Sequence, residues 1–275
     1  MLNLKMYYKM QKLNVLLALR QKLANRYNQM VGDYTSFFKN KQGAFRGTLK
    51  THSPLEGYPV DLTKVANERV VTTVKEKMDW FINEALEYYN TALAIEASNG
   101  EGSPTVPLEF DGKTYGPFPA TVLLRLRGLI SPDNKKEDTL LTMFRNIPVR
   151  EATRVWIEAD EDEDYKKRGI VQTERQSGET KTTETHQEIL KDPNINPENI
   201  PSNYRATVTN VATTIKTGDY TSQFFSGEWT HEKRAALLKR RSELLDAIDI
   251  ALQKVNDREA KECNIDDLLK HLIYG

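Results

Sequence analysis

A chain of 275 residues, 39% hydrophobic and 28% charged, is long enough to bury a sizeable core and has an ordinary globular composition. Its 39 basic and 39 acidic side chains cancel, which removes any global electrostatic argument for binding nucleic acid or a membrane and leaves only local patches to consider. The one cysteine, Cys263, excludes an intrachain disulfide and suits a reducing compartment; no apolar run reaches membrane-span length, so a cytoplasmic protein is expected.

The chain opens on Lys5, Lys9 and Lys12 among apolar residues at helical spacing, which reads as the start of a helix and not as a targeting segment. Met10, Leu13, Leu16, Leu17, Leu23, Ala24, Tyr27, Met30, Val31 and Tyr34 continue one stripe and predict a helix over 10–34, which Gly32 weakens near its end. Residues 35–63 lose the pattern to Gly43, Gly47, Pro54, Gly57 and Pro59 and read as a long loop with a short strand near Phe45–Leu49. The aromatics Tyr34, Phe37, Phe38, Phe45 and Tyr58 are expected to stand exposed there and to need a covering surface. A second helix is predicted over 65–97, from Val71, Val74, Met78, Phe81, Ala85, Tyr88, Ala92 and Ile95.

Asp111-Gly112 between two short apolar segments predicts a hairpin over 106–116, and leucine-rich helices follow at 120–130 and 137–146. From Pro148 the composition turns strand-like. Arg154–Glu158 and Ile170–Gln176 are predicted strands flanking a charged hairpin tip, Asp160–Asp164 followed by Lys166, Lys167 and Arg168. Thr180–Glu188 follows with alternating threonines, then a loop at 194–203. The last pair, Arg205–Lys216 and Tyr220–Phe225, reads as a hairpin turning at Thr217-Gly218-Asp219.

The final long helix is predicted over 231–258, with Thr230 as N-cap and Leu237, Leu238, Leu244, Leu245, Ile248, Ala251, Leu252 and Val255 as its stripe. The fold expected is α+β: a bundle of long amphipathic helices from both chain ends (1–147 and 229–275) with an antiparallel β meander (148–228) inserted between them. The three long helices are expected to meet in one bundle or coiled coil.

Signals for chemistry are weak. His52, His186, His231 and His271 lack metal-ligand spacing, the run Glu158–Asp164 lacks the glycine and ligand spacing of a calcium loop, and no Gly-x-Ser-x-Gly or phosphate-binding glycine loop occurs. No metal, no cofactor and no catalytic residue are therefore expected. Lys166, Lys167, Arg168 and Arg175 on the sheet and Arg240 on the last helix are the candidates for an anion or nucleic acid, although acidic neighbours and the lack of interleaved aromatics weigh toward structural ion pairs. Arg20 and Arg241 fall at seven-residue steps within apolar stripes. Either they sit at the stripe edge with the guanidinium in water, or they are held inside against a carboxylate or anion at a subunit boundary and fix register.

Lys12-Leu13-Asn14, the Asp111-Gly112 hairpin before a leucine-rich helix, Thr173-Glu174 on a strand and a last helix closing near Tyr274 together resemble a group of bacterial and phage-borne proteins without an assigned activity. That resemblance implies an origin and no chemistry. The function expected is a non-enzymatic, homo-oligomeric structural or scaffold protein, with Arg20, Arg241, Phe37, Phe38 and Phe45 as contact or register residues. The alternative is a nucleic-acid- or nucleotide-binding module built on the basic groups.

Overall fold

The structure, a computed structural model, describes residues 12–132, 139–159, 162–190, 205, 207–257, 265, 268 and 271–272. In chain order the elements are α1 (Leu13–Asn40), β1 (Arg46–Pro54), β2 (Ala66–Glu68), α2 (Val74–Asn99), β3 (Thr105–Phe110), β4 (Lys113–Pro119), α3 (Ala120–Ile130), α4 (Thr139–Arg145), β5 (Ile157–Glu158), α5 (Glu163–Arg168), β6 (Val171–Gln172), β7 (Gln176–Leu190), β8 (Thr207–Ser226) and α6 (His231–Val255). The fold is α+β, with every named strand pair antiparallel. Residues 1–41, 77–149 and 229–275 form one compact unit, and residues 42–76 and 150–228 a second.

In the helical unit the stripe of α1 does not stop at Gly32. Tyr27, Val31, Tyr34 and Phe38 are buried at steps of four, three and four, so the helix continues to Asn40 and Phe38 is fully enclosed. An exposed helical glycine costs only about 1 kcal/mol, less than burial of one more large aromatic returns. The expectation of exposed aromatics over 34–58 is thus corrected: Tyr34, Phe38 and Phe45 are buried, and Phe37 is half-buried with the Lys77 ammonium 4.6 Å from its ring centre. Where α1 faces α2 the contact is aromatic, Tyr27 lying 5.0 Å from Tyr88 and 5.5 Å from Tyr89, and Tyr34 stacking on Trp80 at 5.8 Å. Arg26 adds ion pairs to Glu84 and, at 3.5 Å, to Glu87.

The second helix starts at Val74, nine residues later than its periodicity predicts from Val65. Thr73 marks the true start: its hydroxyl accepts from Glu76 N–H while the Glu76 carboxylate accepts from Thr73 N–H, a reciprocal capping box. Val71, counted into the stripe, is 73% exposed.

The Asp111-Gly112 hairpin forms as expected, with φ of 51° and 69° at its two turn residues. Helix α6 begins at Thr230, whose hydroxyl accepts from Lys233 N–H at 3.1 Å. Its stripe Ile248, Ala251, Leu252 and Val255 is covered by Leu123 and Ile130 of α3 and Leu108 of β3. The short elements, not the other long helices, supply that cluster. Arg241 Nη2 donates to Ile130 O at 2.9 Å, and Arg234 Nη1 to Ile147 O at 3.0 Å and Arg145 O at 3.3 Å, so α6 satisfies carbonyls that the ends of α3 and α4 leave open. Arg127 closes the α3–α6 contact on Asp249 at 2.8 Å. Thr230→Ala removes the cap and is expected to cost about 1 kcal/mol, read as a lower denaturation midpoint at unchanged denaturant slope.

In the sheet unit the strand order is β2-β1-β8-β6-β5, with β7 also on β8. Segment 42–76, read as a loop with a short strand near Phe45–Leu49 and then a helix start, contributes β1, longer than that strand, and β2 to this sheet. Three further expectations are corrected. The hairpin at Thr217-Gly218-Asp219 is one continuous strand, β8, in which Thr217 is an extra residue opposite Thr180/Lys181 and bulges. Gly218 marks close approach instead of a turn, because a Cβ there would meet Ser53 O at 2.7 Å. The predicted strands Arg154–Glu158 and Ile170–Gln176 shrink to Ile157–Glu158 and Val171–Gln172. The acidic tip is a helix start: Asp162 caps α5 through Asp164 and Tyr165 N–H groups, while Asp160 and Glu161, the loop 194–203, Cys263 and Tyr274 lie outside the described residues. Val70, Ala159, Tyr165 and Ile170 form the core here, with Phe225 packed on it.

Candidate functional site

The most unusual feature of the sheet unit is the free half of β8. Residues 218–226 pair with β1 on one side, and on the other 218–222 pair with β7 and 225–226 with β6. Residues 207–216 pair only with β7 among the described residues, from Lys181↔Lys216 to Leu190↔Thr207. Ten residue pairs make a two-stranded arm roughly 33 Å long at the usual strand rise. Its base is tied by Lys216, which pairs with Glu179 at 3.3 Å and Asp219 at 2.8 Å, and by Lys181 on Glu179 at 3.1 Å. These lysines hold the Glu179 carboxyl below its ordinary range.

The register sorts the arm into two unlike faces. One carries Glu184, His186 and Glu188, with His186 Nε2 and Glu188 Oε1 3.0 Å apart. Beyond Lys181 and Lys216 the other carries no charge: Thr183, Thr185, Gln187 and Ile189 from β7 against Thr214, Ala212, Asn210 and Val208 from β8. All eight are exposed, Ile189 at 64% and Val208, directly opposite it, at 49%.

The basic candidates have divided roles. Arg168, at the end of α5, is committed to its own unit: Nε donates to Glu76 Oε1 at 2.7 Å, Nη2 to Glu76 Oε2 at 3.2 Å and Val71 O at 3.0 Å, and Nη1 to Val70 O and Asp164 at 3.3 Å. This donation draws the Glu76 carboxyl down to about 2 and raises the Arg168 guanidinium further. Lys167 pairs with Glu163 at 3.6 Å, and Lys166, Lys167 and Arg175 are exposed. Arg240 is exposed on α6, in the other unit. Arg20 is half-buried and makes no ion pair with a described residue. Arg241, half-buried, donates from Nη2 to the Ile130 carbonyl.

A cleft of about 230 Å³ in the sheet unit is lined by Arg46, Glu151, Arg154, Trp156, Phe224 and Glu228, none of them among the candidate site residues read from sequence. The Glu228 side chain is 2% exposed, accepts from Arg46 Nε at 2.8 Å and from Ser226 Oγ at 3.1 Å, and has its carboxyl raised because burial outweighs those partners. Arg154 lies 3.9 Å over the Phe224 ring and pairs with Glu151 at 2.6 Å. With each charge already matched, the cleft is a satisfied polar cluster. Single charges scattered through mixed sequence gave no signal for it. Among the described residues no three His, Cys, Asp or Glu side chains are placed to share a metal ion, and no helix is long and apolar enough to cross a membrane.

No curated protein and no solved structure matches this chain. A family-wide sequence profile matches residues 10–274, and on that near-complete span the chain belongs to DUF7873, a family of unknown function.

Proposed function

We propose that this protein is a non-enzymatic, homo-oligomeric structural or scaffold component in which the β7–β8 arm joins one copy to the next. The observation that carries the reading is the uncharged, wholly exposed face of the arm. A two-stranded ribbon by itself is only marginally stable in water. An uncharged strand surface rich in β-branched residues lacks the charges that guard exposed strands against pairing. A second copy of the same face is the occupant that fits, because neutral meets neutral and a two-fold contact sets Ile189 and Val208 against their equivalents. Zero net charge adds little self-repulsion to oppose that association. The same reading places the protein in a reducing cytoplasm, as its single cysteine suits, within a bacterial or phage-borne assembly.

Light scattering coupled to size exclusion tests this. The protein is expected to elute at a multiple of 31.5 kDa. The double variant Ile189→Lys, Val208→Lys should fall to a single chain with little change in melting temperature, since exposed substitutions usually shift stability by no more than about 0.5 kcal/mol. A native protein that stays at the mass of one chain across dilution removes the proposal. The alternative, a nucleic-acid or nucleotide module, rests on fewer groups once Arg168 is committed to Glu76, leaving the exposed Lys166, Lys167, Arg175 and Arg240. Salt-sensitive retention of nucleic acid through purification would favour it.

A further inference from the structure

The helical unit contains a cavity of about 350 Å³ whose lining includes Tyr27, Tyr88, Arg125, Gly128, Leu129 and Leu140. Arg125 reaches it from α3 and has neither of the two kinds of partner, carboxylate or backbone carbonyl, that hold four other arginines of this unit. Arg127 has Asp249, Arg26 has Glu84, and Arg234 and Arg241 have backbone carbonyls. The Arg125 guanidinium has one protein partner, donating from Nη2 to Tyr88 Oη at 2.9 Å, while its Nε is buried with nothing to accept its proton. No carboxylate among the described residues pairs with it. A guanidinium carries five donors in one plane and cannot shed its charge. Leaving the buried Nε of such a group without an acceptor is costly unless something outside the chain supplies one.

The walls say what that partner is. The Tyr27 and Tyr88 rings, 5.0 Å apart, together with Leu129 and Leu140, form an aromatic and aliphatic enclosure, so the charged end of a ligand would meet Arg125 and its body would meet carbon. Tyr27 is fixed in turn by its hydroxyl, 3.0 Å from that of Tyr89, which donates to Leu129 O at 3.3 Å. The ring is therefore held in place before any ligand arrives. We propose that this cavity binds a small organic carboxylate, its oxygens paired with the Arg125 guanidinium and its apolar body seated between Tyr27, Tyr88, Leu129 and Leu140. The site lies wholly in the helical unit and is independent of the arm.

The test uses the full chain with benzoate and hexanoate as probes, benzyl alcohol and 1-hexanol as their uncharged counterparts, and inorganic phosphate as an anion without a body. Isothermal calorimetry is expected to show one site per chain for at least one carboxylate, with Kd on the order of 1 mM or tighter for ligands of this size. The alcohols and phosphate should bind at least roughly tenfold more weakly, as loss of a charge-assisted hydrogen-bonded pair implies. Arg125→Met should lose the carboxylate to the same degree. If that variant does not fold, Gly128→Leu serves in its place. No atom lies within 4 Å of a Cβ built at Gly128. Gly128 lines the cavity, so the leucine adds bulk there while it improves helix propensity, and it should weaken binding without loss of stability. Absence of heat from both carboxylates at 10-fold the expected Kd overturns the proposal, as does equal affinity of the native protein and either variant.

Discussion

Arg168→Met is expected to lower the unfolding free energy by roughly 1–3 kcal/mol, the scale for losing a set of charge-assisted hydrogen bonds around a half-buried guanidinium. Four acceptors each lose a charged donor at once: the Glu76 carboxylate, which keeps Thr73 N–H, the Val70 and Val71 carbonyls and the Asp164 carboxylate. Arg168→Lys should recover little, because an ammonium cannot span two carboxylate oxygens and two carbonyls in one plane. The loss depends on pH with a definite sign. The Glu76 carboxyl sits at about 2 in the folded protein against an ordinary 4.5, so its stabilisation is complete above about pH 5 and is lost as pH falls through 4.5 toward 2. That shift sets a ceiling of roughly 3 kcal/mol, and because the Glu76 side chain is 41% exposed, screening by water leaves roughly 1–2 kcal/mol. Urea midpoints from pH 3 to pH 7 check this. The native protein should gain stability over that interval, and Arg168→Met should gain distinctly less.

Phe38→Ala should be the most damaging single change in the helical unit, at roughly 3–5 kcal/mol for an enclosed phenylalanine. Its neighbour Phe37 is half-buried with Lys77 above it, so Phe37→Ala should cost about 1 kcal/mol, the scale of an exposed cation–π contact with some lost area. The contrast separates a helix that runs to Asn40 from a loop after Tyr34, since two loop aromatics would respond alike. Thermal unfolding of both variants, followed by circular dichroism, reads the difference.

The α+β class, the Asp111-Gly112 hairpin, the Thr230 cap and the buried faces of α2 and α6 were all legible in the chain, because each rests on local spacing or on side chains within a few residues. Boundaries were not. Gly32 weakens the helix near its predicted end at 34, yet packing of Phe38 carries α1 to Asn40; Val65–Thr73 reads as helix by period, yet residues 66–68 pair with β1 and the cap at Thr73 starts α2 later. The Thr217-Gly218-Asp219 segment has turn chemistry, and only the neighbouring β1, passing too close for a Cβ, turns it into mid-strand.

The same division governs the candidate sites. Composition determined that charge is balanced and that no ligand or catalytic motif is spelled out in sequence. Which arginine is committed and which is not was decided by residues far apart in the chain. Arg168 meets Glu76 across 92 positions, Arg241 meets Ile130 across 111, and Arg125 meets Tyr88 across 37. The uncharged face of the arm exists only in the register of β7 on β8, because the threonines, Ile189 and Val208 share it once the strands align. Spacing along one strand could not reveal that, since a slip by one residue would have placed Val208 beside Glu188.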